Sequence, residues 1–201
     1  MIYRDEVDST NSEAARLTDE LTHGAVIVAE AQTAGRGRRG RTWASKAGDN
    51  LYFSLLLKPQ FSPELASMLT LVMALAVAEG IEKTCDCACQ IKWPNDIVLH
   101  GRKVCGILTE MQTEAGRIKH VIIGVGINVN QLAFAGEGLE YAGSLRKELG
   151  VEIDKARLLS EVLERFGELY EVFGAAGSMV PLQKAYQARL ANYQKEVKVL
   201  E

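Results

Sequence analysis

The sequence is short of the groups that enzymes most often use as nucleophiles or metal ligands. Its 201 residues include three histidines and four cysteines. No CxxC pair and no nearby histidine completes a zinc set. Cys85, Cys87 and Cys89 alternate, so on a strand they would share one face, too close together to pair with one another. With Cys105 they read as buried or half-buried thiols of a reducing compartment. No Ser/His/Asp or Cys/His arrangement stands out. The longest apolar run, Leu71 to Ala78, falls far short of the ~20 residues that span a bilayer. The opening segment, MIYRDEVDSTN, is acidic and polar and lacks a secretory leader pattern. Charge of one sign is not in excess: the net charge is −3 and the pI about 5.7. A non-specific nucleic-acid binder with a broad basic face is therefore not expected. Repeats, low-complexity stretches and a long linker are also missing. The expectation is a soluble cytoplasmic chain with no membrane partner.

What is present is an ordinary globular composition, 47% hydrophobic and 24% charged. A chain of this length forms one domain, or one domain plus a small appendage, and can hide roughly 70% of its unfolded surface. From Asp8 a capping pattern, Thr10 three residues before Glu13, opens a helix. Residues 24–30 read as a short apolar strand, and Leu51, Phe53, Leu55 and Leu57 alternate as another, stopping at Pro59. Pro63 starts one long helix to about Lys83, apolar on so many sides that it should lie buried against a sheet. Strand-like runs follow at 87–92, 96–99, 104–112 and 118–129, with a hairpin turn at 100–103. Asp154 caps a helix whose apolar residues, Leu158 to Phe173, recur at three-and-four spacing. Pro181 sits in the first turn of a last helix, and the tail EVKVLE reads as a strand. Helices interleaved with hairpin-linked strands predict an α+β fold with a mixed, largely antiparallel sheet flanked by helices.

Four features carry candidate chemistry. The loop GRGRRGR at 35–41 concentrates Arg36, Arg38, Arg39 and Arg41 in an acidic protein. Guanidinium forks bind phosphate or carboxylate oxygens in pairs, and Gly35 and Gly37 allow backbone amides close to such a ligand. A solvated charge run or an RGG-like nucleic-acid contact fits the same residues. Trp43 either stacks on a base or packs in the core. In Lys92-Trp93-Pro94-Asn95-Asp96, Pro94 fixes a bend beside Lys92, which alternation turns away from Ile91 and the cysteines. That lysine is either a snorkelling surface residue or a charge placed on a transferring phosphoryl group; Asn95 and Asp96 suit an Asx turn. Gly106, Gly124 and Gly126 lie inside strands, where glycine marks close approach of a ligand or another backbone, and Asn128 follows at a strand end. Ser9-Thr10-Asn11 reads first as a helix cap. The residues alone point to a pocket for a small anionic or nucleotide ligand, walled by glycines and lidded by arginines.

The ordered set DSTN, EAQTAGRGRRGRTW, NLYFS, KWPNDI, GILTE and IIGVGINVN resembles the biotin protein ligases, over about residues 5–190. The resemblance implies a core like that of class II aminoacyl-tRNA synthetases. It implies an enzyme that makes biotinyl-5′-adenylate from biotin and ATP with Mg²⁺, then passes biotin to a lysine of a biotin carboxyl carrier protein or domain, of acetyl-CoA carboxylase or another carboxylase. Carried over by motif, Ser9, Thr10, Asn11 and Gln32 meet the fused rings and ureido group. Gly35, Arg36, Gly37 and Arg38 line the same ligand and order the loop. Lys92 contacts the biotin carboxylate and the α-phosphate, with Arg38 as the second catalytic cation, and Gly106, Gly124 and Gly126 let the walls approach. Arg36, Arg38, Arg39, Arg41, Trp43, Lys92, Asn95 and Asn128 serve ATP, and Asp96 shapes the turn or acts through magnesium; direct metal ligands are not identified.

The catalytic motifs begin at once, leaving no room for the DNA-binding domain of the repressor members, so DNA is not an expected partner. Residues 1–190 are expected to be the catalytic domain, and residues 191–201 the first strand of a small C-terminal β domain that is truncated or missing. A free strand edge permits a homodimer. The competing readings are a module that holds biotin or its adenylate with impaired transfer, and a lipoate or octanoate ligase-like enzyme, for which Cys105 is the nearest candidate nucleophile.

Overall fold

The computed structural model describes residues 1–134, 139–193 and 195. The expected tail strand, 196–201, lies outside the described residues. One seven-stranded sheet runs in the order β1-β2-β3-β7-β6-β5-β4. Its strands are β1 (Ile2–Val7), β2 (Ala25–Gln32), β3 (Leu51–Leu57), β4 (Gln90–Lys92), β5 (Asp96–Leu99), β6 (Arg102–Glu114) and β7 (Arg117–Ile127). Only β1 and β2 pair in parallel; every other pair is antiparallel. This is the mixed, mostly antiparallel α+β architecture that the sequence predicts.

The helices are α1 (Thr10–Arg16), α2 (Pro63–Ala66), α3 (Leu69–Cys85), α4 (Leu145–Leu149), α5 (Lys155–Ala176) and α6 (Gln183–Arg189). The single helix expected from Pro63 is two, separated at Ser67 and Met68. Together Pro63–Cys85 are long and apolar enough to cross a membrane by length and composition, yet most of that stretch is buried inside the fold. Residues 72 to 78 of α3 are all buried because one side meets the sheet and another meets α5. Helix α5 is capped as predicted, with the Asp154 carboxylate accepting from the amides of Ala156 and Arg157. Gly80 lets these helices touch, since a Cβ there would lie 2.7 Å from Val162 Cγ2 and 3.1 Å from the Val162 backbone.

The cysteines do not share a strand face. Cys85 ends α3, Asp86 turns the chain through φ 49°, and Cys87 and Cys89 lie in the connection to β4. The helix signal overrode the alternation because the apolar face of α3 continues to Ile81 and carries the last turn with it. All four thiols are free, and burial pushes each above the ordinary thiol range. The hairpin at 100–103 has a tighter turn than expected, with His100 and Gly101 both at positive φ and β6 starting at Arg102.

The two sheet faces are built differently. On one, Leu51, Phe53, Leu55, Leu57, Val121, Ile123, Val125, Ile127 and Ile107 join the main core. On the other, α1 covers a small cluster of Ala14, Ile27, Leu56 and Ile122. Toward the first turn of α1 and beyond it, that second face carries Ser54, Gly124, Gly126 and Gly106, so the apolar layer stops there.

Two expectations follow. Gly80→Ala should destabilise the chain by about 1 kcal/mol in urea unfolding, because overpacking costs about 1–3 kcal/mol against the ~1 kcal/mol that alanine gains in helix propensity. The second concerns Asp8, whose carboxyl the Arg16 guanidinium holds down to about 2 from 3.8. A lowered carboxylate pKa contributes fully above the unfolded value and is lost as pH falls through the folded one. Unfolding midpoints should therefore drop between about pH 4 and pH 2, and Asp8→Asn should make that drop shallower.

Candidate functional site

The floor of the site is a consequence of register. Tyr52, Gly126, Gly106, Asp96 and Lys92 occupy one cross-strand row, and Ser54, Gly124 and Leu108 the next. Three adjacent positions without side chains leave a trough in the sheet. The chain's own residues enter it. The Trp43 indole lies over Gly106 and Gly126, where added Cβ atoms would meet the ring at 2.7 and 2.4 Å. Asn11 fills the space above Gly124, with Oδ1 2.2 Å from where a Cβ would stand. The sequence pattern predicts that the glycines admit a ligand or another backbone; in the ligand-free chain the groups that approach them are the side chains of Trp43 and Asn11.

Ser9, Thr10 and Asn11 are not a side-chain cap. Ser9 is the residue preceding α1, and its hydroxyl caps nothing. Glu13, expected to close a capping box, pairs with Arg4 and Arg16. The Thr10 and Asn11 side chains turn toward the sheet instead, and Ser9 lines the pocket beside them. The Ser54 hydroxyl lies 2.8 Å from the Thr10 hydroxyl and 2.6 Å from Asn11 Oδ1. Gln32 Oε1 accepts from the Thr10 amide at 2.8 Å, and Gln32 Nε2 donates to Ser45 Oγ at 2.7 Å. Ser45 Oγ in turn donates to the Trp43 carbonyl at 3.0 Å. Neutral side-chain donors and acceptors thus gather here, already satisfied within the protein, with Asn11 Nδ2 donating to Glu110 Oε2 at 2.8 Å.

The arginine loop closes over the trough as a small hairpin. Arg36 bridges Thr42, the Gly37 amide donates to the Arg41 carbonyl at 2.7 Å, and the Trp43 amide to the Gly35 carbonyl at 2.8 Å. Gly35 is required at its closing, since a Cβ would fall 2.4 Å from the Trp43 carbonyl oxygen. Arg39 and Gly40 turn the tip through positive φ. Arg36 and Arg38 line the pocket, whereas Arg39 and Arg41 line only the outer cleft beside it. Arg38 Nη1 donates to Asn95 Oδ1 at 2.8 Å, and Asn95 Nδ2 to the Ile107 carbonyl at 3.0 Å. Asn95 is thereby a rim residue that holds the loop down.

The pocket lysine is Lys103. Lys92 is exposed on β4, on the trough's row but two strands beyond Gly106, and does not line the pocket. Lys103 does, with Nζ 2.7 Å from Asp96 Oδ1 and 5.3 Å from the centre of the Trp43 ring. Simple alternation from Gly106 would turn Lys103 toward the core. Cys105 pairs with Ile97 and Lys103 with Val98, so Val104 is an extra residue that re-aims the lysine. The bulge is held by residues 141–143, whose backbone exchanges hydrogen bonds with Lys103. Asn128 is part of that brace and is not in the pocket: its side-chain amide donates to the Gly143 carbonyl at 3.0 Å. Cys105, buried in the core, also lies outside the lining.

The enclosed space is about 60 Å³, well below the roughly 300 Å³ of small-molecule sites. Trp43 lines it from above Gly106 and Gly126, with its Nε1–H buried and without a partner among the described residues. Among the described residues no three His, Cys, Asp or Glu side chains are grouped to hold a metal ion.

Residues 1–128 match the model of the biotin/lipoate A/B protein ligase family. The bifunctional ligase/repressor BirA of Bacillus spizizenii is 42% identical over 180 residues, covering 88% of this chain and 55% of that protein. The chain thus spans about half the length of that relative. The biotin–[acetyl-CoA-carboxylase] ligase of Paracoccus denitrificans is 36% identical, with 92% of this chain and 78% of the relative covered. The biotin protein ligase from Aquifex aeolicus in complex with biotin and ATP superimposes with a TM-score of 0.82 at 35% identity, over 95% of this chain and 78% of that one. The chain belongs to the biotin/lipoate A/B protein ligase family.

Proposed function

We propose that this chain is an ATP-dependent biotin–protein ligase of the cytoplasm. It joins biotin to ATP as biotinyl-5′-adenylate, then transfers biotin to a lysine of a biotin carboxyl carrier domain. The observation that carries the reading is the pairing of two unlike sets of groups in one pocket. Thr10, Asn11 and Gln32, with Ser54 buried beneath them, offer neutral donors and acceptors suited to a ureido group, while Lys103, Arg36 and Arg38 supply cations to the same pocket.

In the first step a biotin carboxylate oxygen attacks the α-phosphorus, the bond to the β-phosphate oxygen breaks, and pyrophosphate leaves. Two anions must approach, so fixed cations lower the barrier by offsetting charge that builds in the transition state. Lys103 takes the role that the sequence pattern assigns to Lys92, because it stands in the pocket against Asp96. Arg38, tied to Asn95, and Arg36 close the loop over the ligand. Trp43 leaves the floor and offers its ring to the nucleotide, with Arg39 and Arg41 at the outer cleft for its phosphates. Magnesium enters with ATP, carried by phosphate oxygens and water as is usual for this ion. In the second step the carrier lysine nitrogen attacks the acyl carbon, AMP departs, and the nitrogen gives up a proton. Neither step needs a protein nucleophile, in keeping with the position of Cys105 on the core side.

Residues 1–190 form the catalytic unit in this reading. A second copy could pair along the exposed edge strand β1, whereas the β4 edge is partly covered, with the Ala191 amide donating to the Ile91 carbonyl.

Pyrophosphate release from ATP and magnesium should depend on biotin and be followed by labelling of an added carrier domain. Lys103→Ala should slow release by about 10²–10³, the usual cost of losing one transition-state donor, and Lys92→Ala by less than about tenfold. The reverse order would return the role to Lys92, and release that lipoate supports equally would contradict the choice of biotin.

A further inference from the structure

The polar groups of the pocket form a closed circuit with the arginine loop, and one member of it belongs to none of the motifs' expected roles. From Arg36 the circuit runs to Glu110, Asn11, Ser54, Thr10, Gln32, Ser45 and Trp43. It returns through the Trp43 amide and Gly35 carbonyl to the neighbour of Arg36. Glu110 is the join. Its Oε2 accepts from Arg36 Nη2 at 2.7 Å and from Asn11 Nδ2 at 2.8 Å. Among the residues lining the pocket and the outer cleft it is the one carboxylate. It points the right way because β6 alternates Gly106, Leu108 and Glu110 on the trough face.

We propose that Glu110 is a positioning residue: its carboxylate latches Arg36 and orients Asn11 at once, so that the loop is held over the pocket and the amide faces the ligand. Two latches then fix the loop, an ionic one to Glu110 on β6 and a neutral one from Arg38 to Asn95 before β5. They differ in what loosens them. The side chains of Arg36 and Glu110 are 45% and 40% exposed, so salt screens their attraction. A hydrogen bond to a neutral amide oxygen is far less sensitive. The effect on biotin rests on the ligase reading, but the latch itself does not.

The test separates the two. Glu110→Gln keeps an acceptor for Asn11 and removes the charge that Arg36 needs. In the ligand-free chain, trypsin cleavage after Arg38, Arg39 or Arg41 should be faster in the variant by about two- to fivefold, the factor a half-exposed ion pair can hold. Raising the salt to about 1 M should close the gap by accelerating the wild type, since the Debye length falls to ~3 Å. Arg36→Gln should match Glu110→Gln, and the double variant should be no faster than either single one. Equal cleavage of variant and wild type, or additive single variants, would overturn the latch. In the ligase assay Glu110→Gln should raise the KM for biotin by a similar factor with kcat for adenylation within about twofold. A fall in kcat at unchanged KM would overturn the positioning role. Absence of biotin-dependent turnover in the wild type would refute the ligase reading, while the trypsin comparison would still decide the latch.

Discussion

The alternation of side chains across a pleated sheet is what the site depends on. Each central strand sends most of its branched aliphatic residues to one face, where α3 and α5 bury them, and leaves only Ile27, Leu56 and Ile122 for the small cluster under α1. That frees the opposite face from any part in the main core. Gly106, Gly124 and Gly126 could not be tolerated on the core side, where three missing side chains would leave a void. On the other face they cost strand propensity and yield a trough wide enough for an indole and an amide. The register then brings Ser54 beside Gly124 and Asp96 beside Gly106, so a buried hydroxyl and a carboxylate stand on adjacent rows.

The loop makes this floor into a pocket, and it does so with groups already committed to each other. Nearly every polar atom of the lining has a partner in the ligand-free chain, which keeps the buried groups satisfied and holds the arginines near the floor. Trp43 Nε1 is an exception, a buried donor without an acceptor among the described residues, on the ring that lines the pocket above Gly106 and Gly126. Ligand entry is therefore an exchange: protein–protein hydrogen bonds are given up for protein–ligand ones, and an unsatisfied donor is released from a dry site. Such a pocket favours a ligand with several well-placed polar atoms over a purely apolar one.

Much of this was legible in the sequence. The alternation of β3, the hairpin at 100–103 and the cap of α5 are local signals, and the structure follows them. The in-strand glycines and the arginine loop also identify the site, because both defy the preferences of the elements that hold them. The failures have physical causes. Lys103 was hidden because a single extra residue, Val104, reverses the face on which the lysine falls. Lys92 attracted attention through its neighbour Pro94, yet the row it shares with Gly106 carries it two strands away. Asn128 reads as a ligand group at a strand end, and tertiary context spends it on Gly143. Ser9-Thr10-Asn11 satisfies a capping rule that the buried Ser54 and Gln32 outbid. Glu110 ends the motif GILTE but has no role legible there, since only the folded pairing of β6 with the loop gives a surface-type carboxylate two partners.

The most direct test of the account is calorimetric titration of the chain with biotin and with lipoate, in the absence of ATP. A pocket lined by Thr10, Asn11 and Gln32 should bind biotin, whose ureido group can replace the bonds these residues make within the protein. It should leave lipoate, whose ring has no such donors, unbound at the same concentrations. Equal binding of the two acids, or binding of biotin undiminished in a Thr10→Val, Gln32→Leu variant, would contradict it.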